Sequence, residues 1–301
     1  MSSACSEVKM KTIKELIRIS NENLEAVREI RRRERMHQVY SECEELKDTD
    51  AEIVSAHKRR LVAVIDRDDK LIARLDAEID KLNDRRERII EANGIDPDFD
   101  QEVTICSKCS DTGFTTGKGG TVQVCSCRED DVKECFTYSG LEHFTSYDNK
   151  NYRSDYLGEP EARKAIRNKL LMVMLGVGEE DQKPLWVYYA APQTGKTYLS
   201  VCLVKTAIRL GKSAYYAKCE DLADIGSDTL EQLNSIDLLV IDDFADDVTL
   251  NHAVGSTLNN LIEIRNAAGL KTILVTSIPV SSLITGCDMR ISGKLKNAGT
   301  I

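Results

Sequence analysis

Ala190-Ala-Pro-Gln-Thr-Gly-Lys-Thr197 lies between an apolar run, Leu185-Trp-Val-Tyr-Tyr189, and a long stretch with helical character. The pattern matches G-x-x-x-x-G-K-[ST] except at its first position, where Ala190 replaces glycine. The residue types have a physical logic. A loop at the start of a helix turns backbone N–H groups toward an anion, and the helix dipole adds favourable charge. Ala191, Pro192, Gln193 and Thr194 would form the cradle, and Gly195 would allow close backbone approach. Lys196 would reach the β- and γ-phosphates of a nucleotide, and the Thr197 hydroxyl would bind Mg²⁺. Ala190 is tolerable if its φ is negative, because alanine is the smallest substitute for glycine.

Further along, Leu238-Leu-Val-Ile241 runs into Asp242-Asp243. A buried strand of this kind delivers a carboxylate to the edge of a parallel sheet where ligands bind. Asp242 is the expected Mg²⁺ carboxylate, and Asp243 the group that polarises an attacking water. Aspartate is shorter than the glutamate more usual there, so turnover should be slow. A third apolar run, Lys271 to Thr276, ends on a pair of hydroxyls, Thr276 and Ser277, suited to sensing a γ-phosphate. Together these features predict an ATPase that takes ATP and Mg²⁺.

A second group of residues carries different chemistry. Cys106-Ser-Lys-Cys109 is separated by fifteen residues, rich in Gly and Thr, from Cys125-Ser-Cys127. Two thiol pairs at this spacing suit a tetrahedral Zn²⁺ held by Cys106, Cys109, Cys125 and Cys127. Four sulfurs leave no open coordination position, so the site should be structural, with the metal supplying folding energy to a segment too short for a core. Cys135 is a reserve ligand. Cys5, Cys43, Cys202, Cys219 and Cys287 are isolated thiols.

The elements that must position these groups follow from periodicity. From about Val8 to Ala92 the chain is charged and nearly lacks Gly and Pro. Leu61, Ile65, Asp68, Ile72, Leu75, Ile79, Leu82, Arg86 and Ile89 step by alternating fours and threes, the spacing of a coiled-coil seam. Asp68 and Arg86 interrupt it. Thr49-Asp-Ala-Glu52 reads as a capping box that restarts a helix. The expected object is a long helical hairpin or a dimeric coiled coil, ended by Asn93-Gly94. Thr137 to Tyr152 reads as an irregular aromatic linker, followed by a helix from Glu159 to Leu175. Beyond it, strands alternate with helices ended by Gly211 and Gly269, which implies an α/β domain with a parallel sheet. The expected division is a helical region over 1–100, a zinc module over 101–135, a linker and helix over 136–182, and a P-loop ATPase domain over 183–301.

The 301 residues carry 41 Lys+Arg against 50 Asp+Glu. The net charge of −9 argues against a polybasic coat for nucleic acid. The part from Lys183 onward carries 11 Lys+Arg and 12 Asp+Glu, so nearly all the acidic excess lies upstream. No apolar run is long enough to span a membrane, and the first ten residues lack a secretory apolar region, so a cytoplasmic location is expected. Only a few residues follow Leu295, too few for a helical lid, so the nucleotide site should be open, with a neighbouring subunit a natural way to close it.

The order of these motifs resembles the bacterial helicase-loader ATPases of the DnaC/DnaI type, AAA+ proteins whose core is shared by the IstB-type transposition helpers. The resemblance runs from Trp186 to Leu295 and rests on the P-loop, Leu-Leu-Val-Ile-Asp-Asp243, Arg265, Lys271-Thr-Ile-Leu-Val-Thr-Ser277 and Arg290-Ile-Ser-Gly-Lys-Leu295. The cysteine segment with Asp111-Thr-Gly-Phe114 looks like the zinc segment ahead of the ATPase in loader-like proteins of phages and mobile elements. The resemblance implies that Arg290 reaches the γ-phosphate of a neighbour in an ATP-dependent homo-oligomer. It implies a replicative DNA helicase as partner and allows single-stranded DNA as a further one. Gln193 and Ala190 stand where the family has loop glycines, Ile278 where it has a sensor asparagine, and Lys294 where it has a second arginine. Two other functions stay open: a transposition helper, and a zinc and coiled-coil adaptor whose nucleotide site does not hydrolyse.

Overall fold

A computed structural model of the chain describes residues 10–148, 160–245 and 252–301. Cys5, the end of the linker at 149–152 and the expected helix start at Glu159 lie outside them. The chain divides into two compact units, one of residues 21–111 and one of 1–20 with 112–301.

The first helix, α1, spans Ile13–Glu42; α2 spans Glu44–Asp66 and α3 Asp69–Asn93. The break between α1 and α2 falls at Cys43, whose φ of −137° and ψ of 86° leave the helical region. The expected capping box at Thr49–Glu52 therefore lies inside α2. Thr49 is buried, and its hydroxyl donates to the Glu45 carbonyl one turn back, an alternative use of a mid-helix hydroxyl.

The heptad run is also divided. Arg67 takes a left-handed conformation (φ 55°) and ends α2, and the Asp68 carboxylate accepts from the Leu71 N–H to cap α3. Asp68 interrupts the seam because the chain reverses there. The two helices pair antiparallel, as the ion pairs Arg85–Glu45, Arg86–Asp50 and Arg59–Glu78 require. Arg86, the second interruption, bonds Asp50 and Asp100 at 2.7 Å each and lies over the Phe99 ring. Phe99 packs with Leu46, Ile89 and Ile90 in the core of this unit, each such side chain contributing about 1.5–3 kcal/mol by burial. Gly94 ends α3 at φ 62° as expected.

Besides the start of α1, the second unit holds a two-stranded hairpin, β1 (Phe114–Thr116) and β2 (Val122–Val124). Helix α4 (Glu129–Tyr138) follows, with three acids in its first turn, so the linker starts later than expected. Then come α5 (Pro160–Leu175), β3 (Leu185–Tyr189), α6 (Lys196–Arg209), β4 (Ala214–Lys218), α7 (Ser227–Leu233), β5 (Leu238–Asp242), α8 (His252–Ala267) and β6 (Lys271–Thr276). Two short helices, α9 (Val280–Gly286) and α10 (Met289–Leu295), lead to β7 (Gly299–Thr300).

The five strands form a parallel sheet in the order β4-β5-β6-β3-β7. Their side chains alternate between two faces. Trp186, Tyr188, Tyr216, Val240 and Val275 pack with residues of α4, α5 and α6, whereas Val187, Ala217, Leu239, Ile241 and Leu274 pack with α7 to α10. Both faces are covered, as a parallel sheet requires. Strand β7 was not expected. Gly299 pairs with Trp186, and a Cβ there would lie 2.4–2.6 Å from the indole ring, so only glycine allows the strand to approach. Arg265 is fully buried under the opposite face. Its guanidinium donates to the carbonyls of Ile236 (3.0 Å), Lys271 (2.6 Å) and Leu233 and to the Thr272 hydroxyl (2.9 Å), tying α8 to the entries of β5 and β6.

Among the described residues, no helix is long and apolar enough to cross a membrane.

Candidate nucleotide-binding site

The chain passes from β3 to the far edge of the sheet and returns through β5 and β6, so its direction of winding changes at β3. The carboxyl end of such a strand is where open α/β sheets bind ligands. The loop Ala190–Gly195 leaves β3 at this point and enters α6. Ala190 N–H donates to the Thr276 carbonyl at 3.3 Å, and Tyr189 is in register with Thr276, so the loop begins beside the end of β6.

Within the loop, the left-handed positions are Gln193 (φ 63°) and Gly195 (φ 87°), and Ala190 has no positive φ. Alanine at 190 is thus accommodated without strain. Glutamine at 193 occupies a conformation that glycine adopts more readily, at a cost on the order of 1 kcal/mol. The Thr194 hydroxyl closes the turn on the Ala191 carbonyl at 2.7 Å. Lys196 is only 7% exposed, and its ammonium donates to Ser277 Oγ at 2.7 Å and to the Ala191 carbonyl at 3.2 Å. Of the two hydroxyls ending β6, Ser277 faces the lysine. Thr276 is fully buried, and its Oγ1 accepts from the Ile278 N–H at 3.0 Å.

Asp242 ends β5, in register with Lys218 of β4, and is fully buried. Its Oδ2 accepts from the Tyr216 hydroxyl at 2.8 Å, and its Oδ1 from the Asp243 N–H at 2.9 Å. Burial and the adjacent carboxylate push the Tyr216 phenol well above its ordinary value, so it stays a donor. Asp243 is exposed at φ 54°, which turns the chain as it leaves the sheet. Sequence reasoning missed Tyr216; a tyrosine two residues before the end of a strand beside the carboxylate strand was the available signal.

Helix α6 also holds the aromatic linker. Lys205 Nζ donates to the Phe144 and Tyr147 carbonyls at 2.6 and 2.7 Å, Tyr147 stacks on Tyr198 at 4.6 Å, and Phe144 meets Tyr216 edge-on.

Arg290 lies in the first turn of α10, capped by the Asp288 carboxylate, with its side chain 77% exposed. Lys294, one turn on, instead bonds the carbonyl and side chain of Asn259 and lies 3.3 Å from Glu263, anchoring α10 to α8. The two basic residues, adjacent on the helix, are in different environments.

In the cysteine segment, the Sγ atoms of Cys106, Cys109, Cys125 and Cys127 all lie within 4.8 Å of one another. A tetrahedral zinc with Zn–S bonds of about 2.3 Å spaces its sulfurs by about 3.8 Å, so this donor set fits a four-thiolate zinc. The buried Asp111 carboxylate accepts from the N–H groups of Ile105 (2.9 Å) and Cys106 (2.7 Å) and lies 3.1 Å from Arg28 Nε, which fixes the turn carrying the first pair. Cys135 is not part of the group. It belongs to the core of the second unit, with its sulfur 3.8 Å from the Lys11 carbonyl and from Ser139 Oγ. The expectation of a reserve ligand is corrected: the residue sits on the buried face of α4.

No protein-family model and no curated protein matches the chain. Among solved structures, it is similar to AMPPCP-bound DnaA from Aquifex aeolicus, at 18% identity and a TM-score of 0.41, over 52% of this chain and 50% of that one. It is similar to DnaI at 14% identity and TM-score 0.42, over 51% of this chain and 89% of that one. It is similar to the DnaC helicase loader at 18% identity and TM-score 0.42, over 53% and 99%. The chain spans about half the length of the AMPPCP-bound DnaA structures it matches. The likeness extends over about half of this chain.

Proposed function

We propose that this chain is an ATP-dependent replication accessory ATPase that engages a replicative helicase through its amino-terminal part and uses nucleotide as a switch. The observation that carries the ATPase reading is the placement of Lys196. A buried ammonium stands at the carboxyl end of β3, held by Ser277 Oγ and a loop carbonyl. Both partners are neutral, so a phosphate would be a better one.

In this reading Ala191 to Gly195 cradle the phosphates, Lys196 leaves its resting bonds for the β- and γ-oxygens, and Ser277 senses the γ-phosphate in place of Thr276. Asp242 and Thr197 hold Mg²⁺, which supplies charge neutralisation during phosphoryl transfer. Asp243 orients the attacking water. Arg290, exposed on α10, reaches the nucleotide of a neighbouring copy. The four cysteines hold a structural zinc, and the division into helical, zinc, linker and ATPase segments follows the function of each. The loader reading over a transposition helper rests on the zinc and helical front end, by resemblance.

Nucleotide affinity and turnover decide the ATPase part. Lys196→Ala should lose most ATP affinity, and Asp243→Asn should bind ATP but not hydrolyse it; unchanged hydrolysis by Asp243→Asn would reject its assignment. Arg290→Ala mixed with Lys196→Ala should regain activity if the arginine acts in a neighbour. For the partner, the intact chain should retain a purified replicative helicase. Retention of a transposase instead would select the other reading.

A further inference from the structure

Arg163 heads the buried stripe of α5. At 100° per residue it falls within about 20° of Leu170 and Met174, which belong to the core of the second unit. Such a position calls for an apolar side chain, and an arginine there ordinarily carries its head out to water. Arg163 does not. It is 8% exposed, and its Nη2 is shut off from solvent with no acceptor among the described residues. A buried guanidinium N–H without an acceptor costs stability, and a group of this kind calls for an explanation such as a bound ligand.

The fold places this group beside the loop at Ala190. Helix α5 runs antiparallel to β3, because its second half meets the start of the strand: Lys169 lies over the Trp186 ring and pairs with Asp181 in the connection. From Lys169 back to Arg163 is a rise of about 9 Å along the helix. From Trp186 forward to Ala190 is about 13 Å along the chain. The difference is within the length of an arginine side chain, which in a helix leans toward the amino-terminal end. Arg167, one turn on, lines a cleft with Leu199, Cys202 and Leu203, so α5 flanks the helix that the loop opens.

The two sides of the loop differ. Ser277 and Asp242 stand at the ends of β6 and β5, on one side of β3, where the γ-phosphate and Mg²⁺ are assigned. Helix α5 lies over β3 itself, at the Trp186 ring that also meets Gly299 of β7 on the other side. A nucleotide with its γ end between Lys196, Ser277 and Asp242 extends its nucleoside end toward α5.

We propose that Arg163 is a further nucleotide-binding residue, donating to an acceptor on the nucleoside end that ATP and ADP share. This rests on the ATPase reading above and adds a contact on the opposite side of the loop.

Calorimetric titration with ATP and with ADP in the presence of Mg²⁺, beside thermal unfolding of the nucleotide-free chain, tests it. Arg163→Met keeps an apolar stem and removes the donors. It should weaken ATP and ADP binding by the same factor, about tenfold, as expected for a hydrogen bond from a charged group. It should leave the nucleotide-free thermal midpoint unchanged or raised, because a buried N–H without an acceptor is removed. A purely structural arginine predicts a lowered midpoint, so the direction of the shift separates the two roles. Wild-type affinity for both nucleotides, a loss confined to ATP, or a lowered midpoint would each overturn the proposal. Lys196→Ala serves as the control. If it loses ATP while Arg163→Met binds fully, the ATPase reading stands without Arg163; a wild-type chain that binds neither nucleotide removes both.

Discussion

The Tyr216 hydroxyl donates to Asp242 Oδ2 at 2.8 Å, joining neighbouring strands at the carboxyl edge of the sheet by a bond buried from solvent at both ends. The bond fixes the carboxylate proposed to hold Mg²⁺. Tyr216→Phe keeps the ring and removes the donor. It should lower stability by about 1–2 kcal/mol, since a buried carboxylate loses a partner. It should also change the Mg²⁺ concentration needed for half-maximal nucleotide binding while leaving Mg²⁺-independent binding unaltered. Urea unfolding and nucleotide titrations at varied Mg²⁺ measure the two effects; an unmoved Mg²⁺ midpoint would make Tyr216 a packing residue only.

The cysteine cluster predicts about one zinc per chain. Metal analysis of protein purified without chelators measures it directly. Cys109→Ser should reduce the zinc content and increase proteolysis between Ile105 and Cys127, with nucleotide affinity preserved because the P-loop belongs to a separate part of the sequence. Zinc-free protein from such a preparation would remove the assignment.

Arg265 should matter to the fold and not to chemistry. Burial pushes its guanidinium down to about 10, still charged at neutral pH, and its acceptors are three carbonyls and the Thr272 hydroxyl. Arg265→Met leaves those buried acceptors without a donor and should cost about 3–5 kcal/mol. Denaturant unfolding should show a lower midpoint at similar slope, and the folded fraction should bind ATP normally. A variant as stable as the parent would contradict the role drawn here.

Three thiols give a pH dependence. Burial pushes Cys135 and Cys219 up to about 11 and Cys202 up to about 12, from an ordinary value near 9. The unfolded chain therefore loses these protons at lower pH than the folded one. Their contribution to stability is complete below about pH 9 and is lost as pH rises toward 11 and 12. Stability measured from pH 8 to pH 11 should fall, and less steeply in Cys202→Ala. At neutral pH these thiols should resist alkylation until the protein unfolds.

The parts of the fold that were legible in the sequence are those with strong local punctuation. The run Lys271–Thr276 is a strand with those bounds, and Gly211 and Gly269 follow the last residues of α6 and α8 by two positions, with the positive φ values that end a helix. The reversal at Arg67–Asp68 was hidden because a non-glycine residue adopts the left-handed turn while the apolar spacing continues across it. A heptad count registers spacing and is blind to a change of direction. The start of α2 was misplaced because Thr49 and Glu52 form a capping pattern that the buried hydroxyl does not use. At the candidate nucleotide site the passage from strand through loop to helix could be read from spacing alone. The choice between Thr276 and Ser277 depended on which face of β6 each occupies, and Tyr216 on which strand neighbours β5. Both are matters of sheet order, which no local pattern encodes.

Trp186 is the one tryptophan in the chain, buried in β3 with the Gly299 backbone against its ring and Lys169 Nζ 5.2 Å from the ring centre. The strand it occupies leads directly into the loop at Ala190, and the residues stacked on it come from the carboxyl-terminal strand. The molecule thus carries its own optical gauge. Emission from a single indole reports whether the last few residues remain docked, with no label introduced.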